Sequence, residues 1–308
     1  MYSSNKPDRL RSGSFTSQRY QDILMSWGFL LPTLFILAVI LIWPLCVSLK
    51  MSFFHWELAR PDLGRPFVWF ENYIQAFTDD DVIHSLNISA FFVIISLAFE
   101  LIFGFIAAFL LAQKVKGIGV FRVLILLPMM LPDVVVGLMW KLLFDSRNGI
   151  INYFLSLLGI PQQIWMGANL AFPLIIMAEV WQQTSFFALI LLAGLQAIPE
   201  ELYEASKIDG ATYWQELRYI TLPILKPVML VALIFRTMFT MRVFAPIWVL
   251  TGGGPGNATN LLSLKIYQEG FSYYNMGYAA ALSWILLILT VIITYAYIKV
   301  LFGKEEKA

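Results

Sequence analysis

The chain has 308 residues, of which 59% are hydrophobic and 13% charged. Soluble domains carry about a quarter charged residues, so this composition excludes a water-soluble globule and places the chain in a bilayer. A single cysteine, Cys46, excludes an internal disulfide framework. Two isolated histidines argue against structural zinc, and 21 Lys+Arg set against 20 Asp+Glu leave no basic footprint for a nucleic acid.

In chain order, residues 1–24 are rich in Ser, Arg and Asn and are expected to form a disordered cytoplasmic tail. A spanning helix needs about 20 mostly apolar residues, and the gaps between charges reach that length. No charge falls between Asp22 and Lys50, which predicts a first span at 25–49, retained rather than cleaved as a leader. Glu100 interrupts a second span at 86–112, and Asp133 a third at 122–144. Glu179 is the sole charge between Arg147 and Glu200, so a fourth span fits at 171–195. The fifth, at 227–250, carries Arg236 and Arg242, and the last, between Glu269 and Lys299, carries none. The expected fold class is all-α: six transmembrane helices over 25–302, a long loop at 196–226, and a short tail at 303–308.

Basic residues set the orientation. With the N-terminus inside, the inner segments hold Lys6, Arg9, Arg11, Arg19, Lys114, Lys116, Arg122, Lys207, Arg218, Lys226, Lys299, Lys304 and Lys307. The outer loops hold only Lys50, Arg60, Arg65, Arg147 and Lys265. Both termini are therefore expected in the cytoplasm, with the chain as a multi-pass protein of the inner membrane.

The long loop has a pattern of its own. Pro199 suits a first helical position, Glu200 and Glu201 oppose the positive end of a helix dipole, and Gly210 stands where a left-handed stop belongs. A second short helix is expected from Thr212, with Gln215 completing a capping box and an end before Pro223. Leu202, Ala205, Ser206 and Asp209 share one face of the first helix. That mixed surface suits either a groove in a partner protein or a bed of lipid headgroups.

The run Glu204-Ala205-Ser206-Lys207-Ile208-Asp209-Gly210-Ala211, followed by Ile220-Thr221-Leu222-Pro223 and by Pro227, resembles the EAA motif of permease subunits of bacterial ABC importers. It departs only by Ser206 in place of the second alanine. A second segment, Leu250-Thr251-Gly252-Gly253-Gly254-Pro255 with Thr259 beyond, resembles the loop after the fifth helix in carbohydrate-type permeases of the maltose type. Phe244-Ala245 replaces a phenylalanine–aspartate pair often found before it. The resemblance implies that the loop helix fits a cleft in a cytoplasmic ATPase, with Glu204, Ala205, Asp209, Gly210, Leu222 and Pro223 as the coupling residues. The chain itself has no Gly-x-x-x-x-Gly-Lys-Ser/Thr phosphate loop. No catalytic residue, cofactor or metal is therefore expected on this chain, and ATP with its magnesium belongs to the partner.

A charge at mid-bilayer costs roughly 2.5–3.5 kcal/mol on insertion scales, so each one needs polar company. Arg236, Phe239, Thr240 and Val243 recur at one helix face, as do Glu179, Gln183 and Phe186. Aligned from the EAA motif, the family's pocket positions fall at Gln183, Phe186, Arg236, Phe239, Thr240 and Val243. Arg236 is thus either a pocket residue or a structural partner of Glu179, and its fork of donors also admits an anionic sugar or a glycerol phosphate. Glu100 and Asp133 are expected as inter-helix or gate contacts, Arg242 as a snorkelling residue, and Trp43 and Trp140 as interface anchors.

The function expected is the permease subunit of an ATP-driven, binding-protein-dependent importer of a sugar or sugar-like solute, not an enzyme. The implied partners are a second permease in a heterodimer, two ATPases, and a periplasmic or extracellular solute-binding protein. One rival is a secondary transporter, which would show paired repeats with broken helices. The other is a membrane enzyme, which would cluster catalytic groups at one depth.

Overall fold

The computed structural model describes residues 25, 27–28, 30–113 and 115–302, excepting the side chains of 300–302. The expected tails at 1–24 and 303–308, and Lys114, lie outside the described residues. Among the described residues, five helices are long and apolar enough to cross a membrane. They are α1 (Leu30–Met51), α3 (Asp80–Ala112), α7 (Ala171–Gln196), α9 (Tyr213–Thr240) and α12 (Met276–Phe302). Between them lie the shorter α2 (Glu71–Thr78), α4 (Ile118–Leu126), α5 (Asp133–Leu143), α6 (Ile150–Leu157), α8 (Glu200–Ile208), α10 (Ala245–Leu250) and α11 (Leu262–Tyr267).

The third expected span is not a single helix. Proline at 128 and 132 removes two amide donors and disfavours helix in the residue before each. The chain accordingly runs as α4, a 3-10 turn at Pro128–Met130, and α5. Broken backbone at membrane depth needs partners from neighbouring elements, and α7 supplies them. Gln182 Nε2 donates to Leu131 O at 3.1 Å and to Asp133 Oδ1 at 3.0 Å, and the Ser185 hydroxyl donates to Ile125 O.

The fifth span is also redrawn. The helix expected to stop before Pro223 runs without interruption from Tyr213 to Thr240. Its turn at Leu217–Thr221 is π-helical and ends two residues before Pro223. The same device recurs in α1, where the π turn Ala38–Ile42 ends two residues before Pro44. A wider turn relieves the clash between a proline ring and the preceding carbonyls, so the helix passes through. At the other end α9 stops at Thr240, ten residues early, and a turn leads into α10.

α3 and α7 form the central pair, and more of α7 is buried than of any other long helix. Their closest approach is at Gly104, where a Cβ would overlap the Cβ of Phe187 and meet Ala188 N at 3.2 Å. Phe187, Leu191, Leu111 and Leu282 fill the core around this crossing. A second core places Trp140 against Phe144, ring centroids 5.0 Å apart. Trp140 is therefore an internal residue and not an interface anchor, because α5 turns inward after the break. Trp43 stays exposed.

Polar contacts fasten the end of the bundle where α3 begins and α12 begins. Tyr278 donates to Asp79 Oδ2 at 3.1 Å, Asn257 Nδ2 to Asp81 Oδ1 at 3.2 Å, and Leu262 N to Ser89 Oγ at 2.8 Å. The glycine-rich loop at 252–256 folds on itself there, with Thr259 Oγ1 donating to Gly254 O at 2.9 Å. In the turn before α6, the amides of Asn148 and Arg147 donate to Asp145 and hold its carboxyl below the ordinary carboxylate value.

Candidate functional site: a loop joint and a charged cavity on shared helices

The loop at 196–226 opens with Pro199, one residue earlier than expected, at the N-cap of α8. Asp209 closes the helix, and Gly210 follows at φ +75°, a left-handed conformation that glycine adopts without steric cost. Gly210 N donates to Lys207 O at 3.1 Å and Ala211 N to Ser206 O at 2.9 Å, which satisfies two orphan carbonyls of the last turn. Gln215 Oε1 then accepts from Thr212 N at 2.7 Å as α9 starts. Two side-chain bonds set the angle between the helices. Ser206 Oγ donates to Glu216 Oε1 at 2.8 Å, and the hydroxyls of Tyr203 and Thr221 lie 3.0 Å apart. The serine that departs from the motif thus serves as the internal tie.

Glu204, Ala205, Asp209, Gly210 and Pro223 are exposed, and Leu222 is half-buried. Apolar side chains stand out beside them: Ile208 is 87% exposed and Trp214 74%. A surface loop that buried its apolar residues in its own fold would not leave those two open, so this face is built for cover from outside the chain.

The second constellation lies where α3, α7 and α9 meet. Arg236, 3% exposed, donates from Nε to Glu100 Oε2 at 2.8 Å and from one terminal nitrogen to Glu100 Oε1 at 2.9 Å. The same nitrogen donates to Glu179 Oε1 at 2.7 Å. A fork bound by two carboxylates is a strong, geometrically specific arrangement. Arg236 thus pairs with Glu179 and gains a partner, Glu100, that helical spacing alone did not identify.

Against this triad lies a cavity of about 600 Å³ lined by Asp133, Glu179, Gln183, Phe186, Arg236, Phe239, Arg242, Val243, Phe244 and Ala245. Six of the seven path residues expected from sequence line it. Thr240 does not: it is 1% exposed, in the buried stripe it shares with Arg236 one turn earlier. Arg242, expected to snorkel, also lines the cavity. Because α9 ends at Thr240, Arg242 leaves the helical phase, its guanidinium carbon comes 5.7 Å from the Phe239 ring centroid, and it faces the cavity. Asp133, Phe244 and Ala245 were missing from the sequence set. The only signal for the last two was that they stand where the resemblance has a phenylalanine–aspartate pair.

The chain is similar to known proteins in both sequence and fold. Residues 100–301 match the family described as binding-protein-dependent transport system inner membrane component. The trehalose/maltose transport system permease protein MalF of Thermococcus litoralis is 38% identical over 286 residues, covering 92% of this chain and 95% of that protein. The sulfoquinovosyl glycerol transport system permease protein SmoG of Agrobacterium fabrum is 34% identical, covering 92% of each. In fold, the chain is similar to one in the crystal structure of a bacterial ABC transporter involved in import of the acidic polysaccharide alginate. There the TM-score is 0.80 at 22% identity, with 91% of this chain and 96% of that one covered. A second structure of the alginate transporter, in complex with an alginate pentasaccharide-bound periplasmic protein, gives 0.79 at 21% identity over 91% and 94%.

Proposed function

The chain belongs to the family of binding-protein-dependent transport system inner membrane components, and from that premise we propose that it forms, with a second permease, the path by which an ATP-driven importer moves a sugar or sugar-like solute across the inner membrane. Relatives named for trehalose/maltose and for sulfoquinovosyl glycerol support the solute class. The alginate transporter's complex with a periplasmic protein supports a solute-binding protein as the donor.

One observation carries the mechanism: the exposed α8 joint and the cavity are connected by the same two helices. α7 enters the loop and α9 leaves it, and both also supply cavity residues, Glu179, Gln183 and Phe186 from α7 and Arg236 and Phe239 from α9. On this reading α8 seats in a partner ATPase, with Glu204, Ala205, Asp209 and Gly210 at the contact and Leu222 and Pro223 just beyond the π turn of α9. ATP and magnesium are held by that partner and not by this chain. Closure of two such ATPases displaces the joint, and α7 and α9 carry the displacement to the cavity wall, in a two-state alternation of helix bundles. This orientation puts the loop and both termini on the cytoplasmic side.

The test is Gly210→Asp in the complex reconstituted into liposomes with its binding protein. A side chain at φ +75° strains the bend by about 1–2 kcal/mol, so α8 is mis-aimed while the membrane helices are untouched. The expected outcome is retained insertion and ATP hydrolysis with solute uptake reduced at least about tenfold, roughly the effect of 1.4 kcal/mol. Normal uptake in that variant would discard the coupling role. Uptake that persists without the ATPase while an ion gradient is maintained would favour a secondary transporter instead.

A further inference from the structure

The two arginines near the end of α9 stand in opposite electrostatic situations. Arg236 is held by Glu100 and Glu179 together, so the triad has no positive charge left to offer a solute. Arg242 spends only its Nε, donating to Met238 O at 3.1 Å, and packs on the ring of Phe239. Its terminal nitrogens have no acceptor among the described residues, and no carboxylate pairs with it. Of the cavity's carboxylates, Glu179 is paired with Arg236, and Asp133 accepts from the neutral amide of Gln182 at 3.0 Å. Of the two arginines that line the cavity, Arg242 is the one that no carboxylate pairs among the described residues.

We propose that Arg242 is the specificity-determining residue of this cavity and that it recognises an oxyanion, a carboxylate or sulfonate, carried by the sugar-like solute. The inference rests on the transport reading above and names its substrate class. A guanidinium presents parallel N–H donors that match a planar carboxylate or two sulfonate oxygens, which a lysine cannot reproduce. Arg242 is exposed, and the solute's oxyanion supplies its counter-charge as it passes. Phe186 and Phe239 offer apolar faces for the C–H surface of the sugar ring, while Gln183 is placed for its hydroxyls.

The experiment compares ATP-driven uptake of a hexose, the hexuronate of the same ring, and a sulfonated hexose. Each is presented on the binding protein to the full complex in liposomes. Wild type is expected to take up at least one of the two anions in preference to the hexose. Arg242→Gln is expected to lower that anion-to-hexose ratio about tenfold or more, since a polar site left unpaired discriminates strongly. Arg242→Lys, which keeps the charge and loses the fork, should give an intermediate ratio, showing that the change is not a folding defect. A wild-type preference for the hexose, or a ratio unchanged in Arg242→Gln, would overturn the assignment while leaving the transport reading intact. Absence of ATP-driven uptake of all three by an assembled wild-type complex would overturn the transport reading itself.

Discussion

At Arg236 a single guanidinium holds the carboxylates of two other long helices, with every charged group at most 4% exposed. Removing one member of a buried ion network leaves its partners uncompensated, typically at a cost of about 3–5 kcal/mol. Arg236→Ala is therefore expected to lower the thermal unfolding midpoint of the solubilised complex by several degrees. Arg236→Met combined with Glu100→Gln and Glu179→Gln should recover much of that loss, because neutral groups replace the stranded carboxylates. If the single variant unfolds at the wild-type temperature, the triad is not what holds the three helices. Spacing on one helix put Arg236 and Glu179 on inward faces, and that much was legible in the sequence. Which residue of α3 would reach them was not, because the rotation of α3 against α7 and α9 is fixed by packing between helices distant in sequence. The place of Arg242 at the cavity was not legible for a local reason: its direction depends on where α9 ends, and no proline, glycine or cap marks Thr240 as the end.

On the scale of elements, the apolar gaps announce the spans but not their continuity. Pro128 and Pro132 break the third span, whereas Pro44 and Pro223 lie within continuous helices. A π turn precedes Pro44 and Pro223, while Pro227 is carried inside α9 without one of its own, and nothing in residue identity alone distinguishes these prolines from Pro128 and Pro132. What α7 donates to the broken third span, from Gln182 and Ser185, explains why a span charged with only Glu179 still carries buried amides and hydroxyls. The α3–α7 crossing is the contact that the rest of the bundle is built around, and its closeness depends on Gly104. Gly104→Val is expected to push the two helices apart and destabilise the chain by about 1–3 kcal/mol, as overpacking in a filled core does. The reading is the thermal midpoint of the purified protein together with its yield in the membrane fraction. A wild-type midpoint for Gly104→Val would mean that the crossing can widen freely. The helix–glycine–helix loop was the most legible element, because capping and left-handed stops are written in a few adjacent residues.

At the scale of the whole molecule, the account has one requirement: the joint at 196–226 must meet a nucleotide-hydrolysing partner, since the chain carries no phosphate loop of its own. Exposed Ile208 and Trp214, together with the motif residues, give that contact a defined surface. The chain's single cysteine, Cys46, lies in α1, away from the loop in sequence, so a lone reporter thiol is easily made. The most direct measurement places Ala205→Cys in a Cys46→Ser background, assembles the complex in native membranes, and cross-links with a short thiol-reactive bifunctional reagent. The account predicts a cross-linked product containing the partner ATPase, with yield that changes when ATP is added, and labelling of the thiol only from the cytoplasmic side. A thiol labelled from the periplasmic side, or one that joins no ATPase in an assembled and transporting complex, would contradict it.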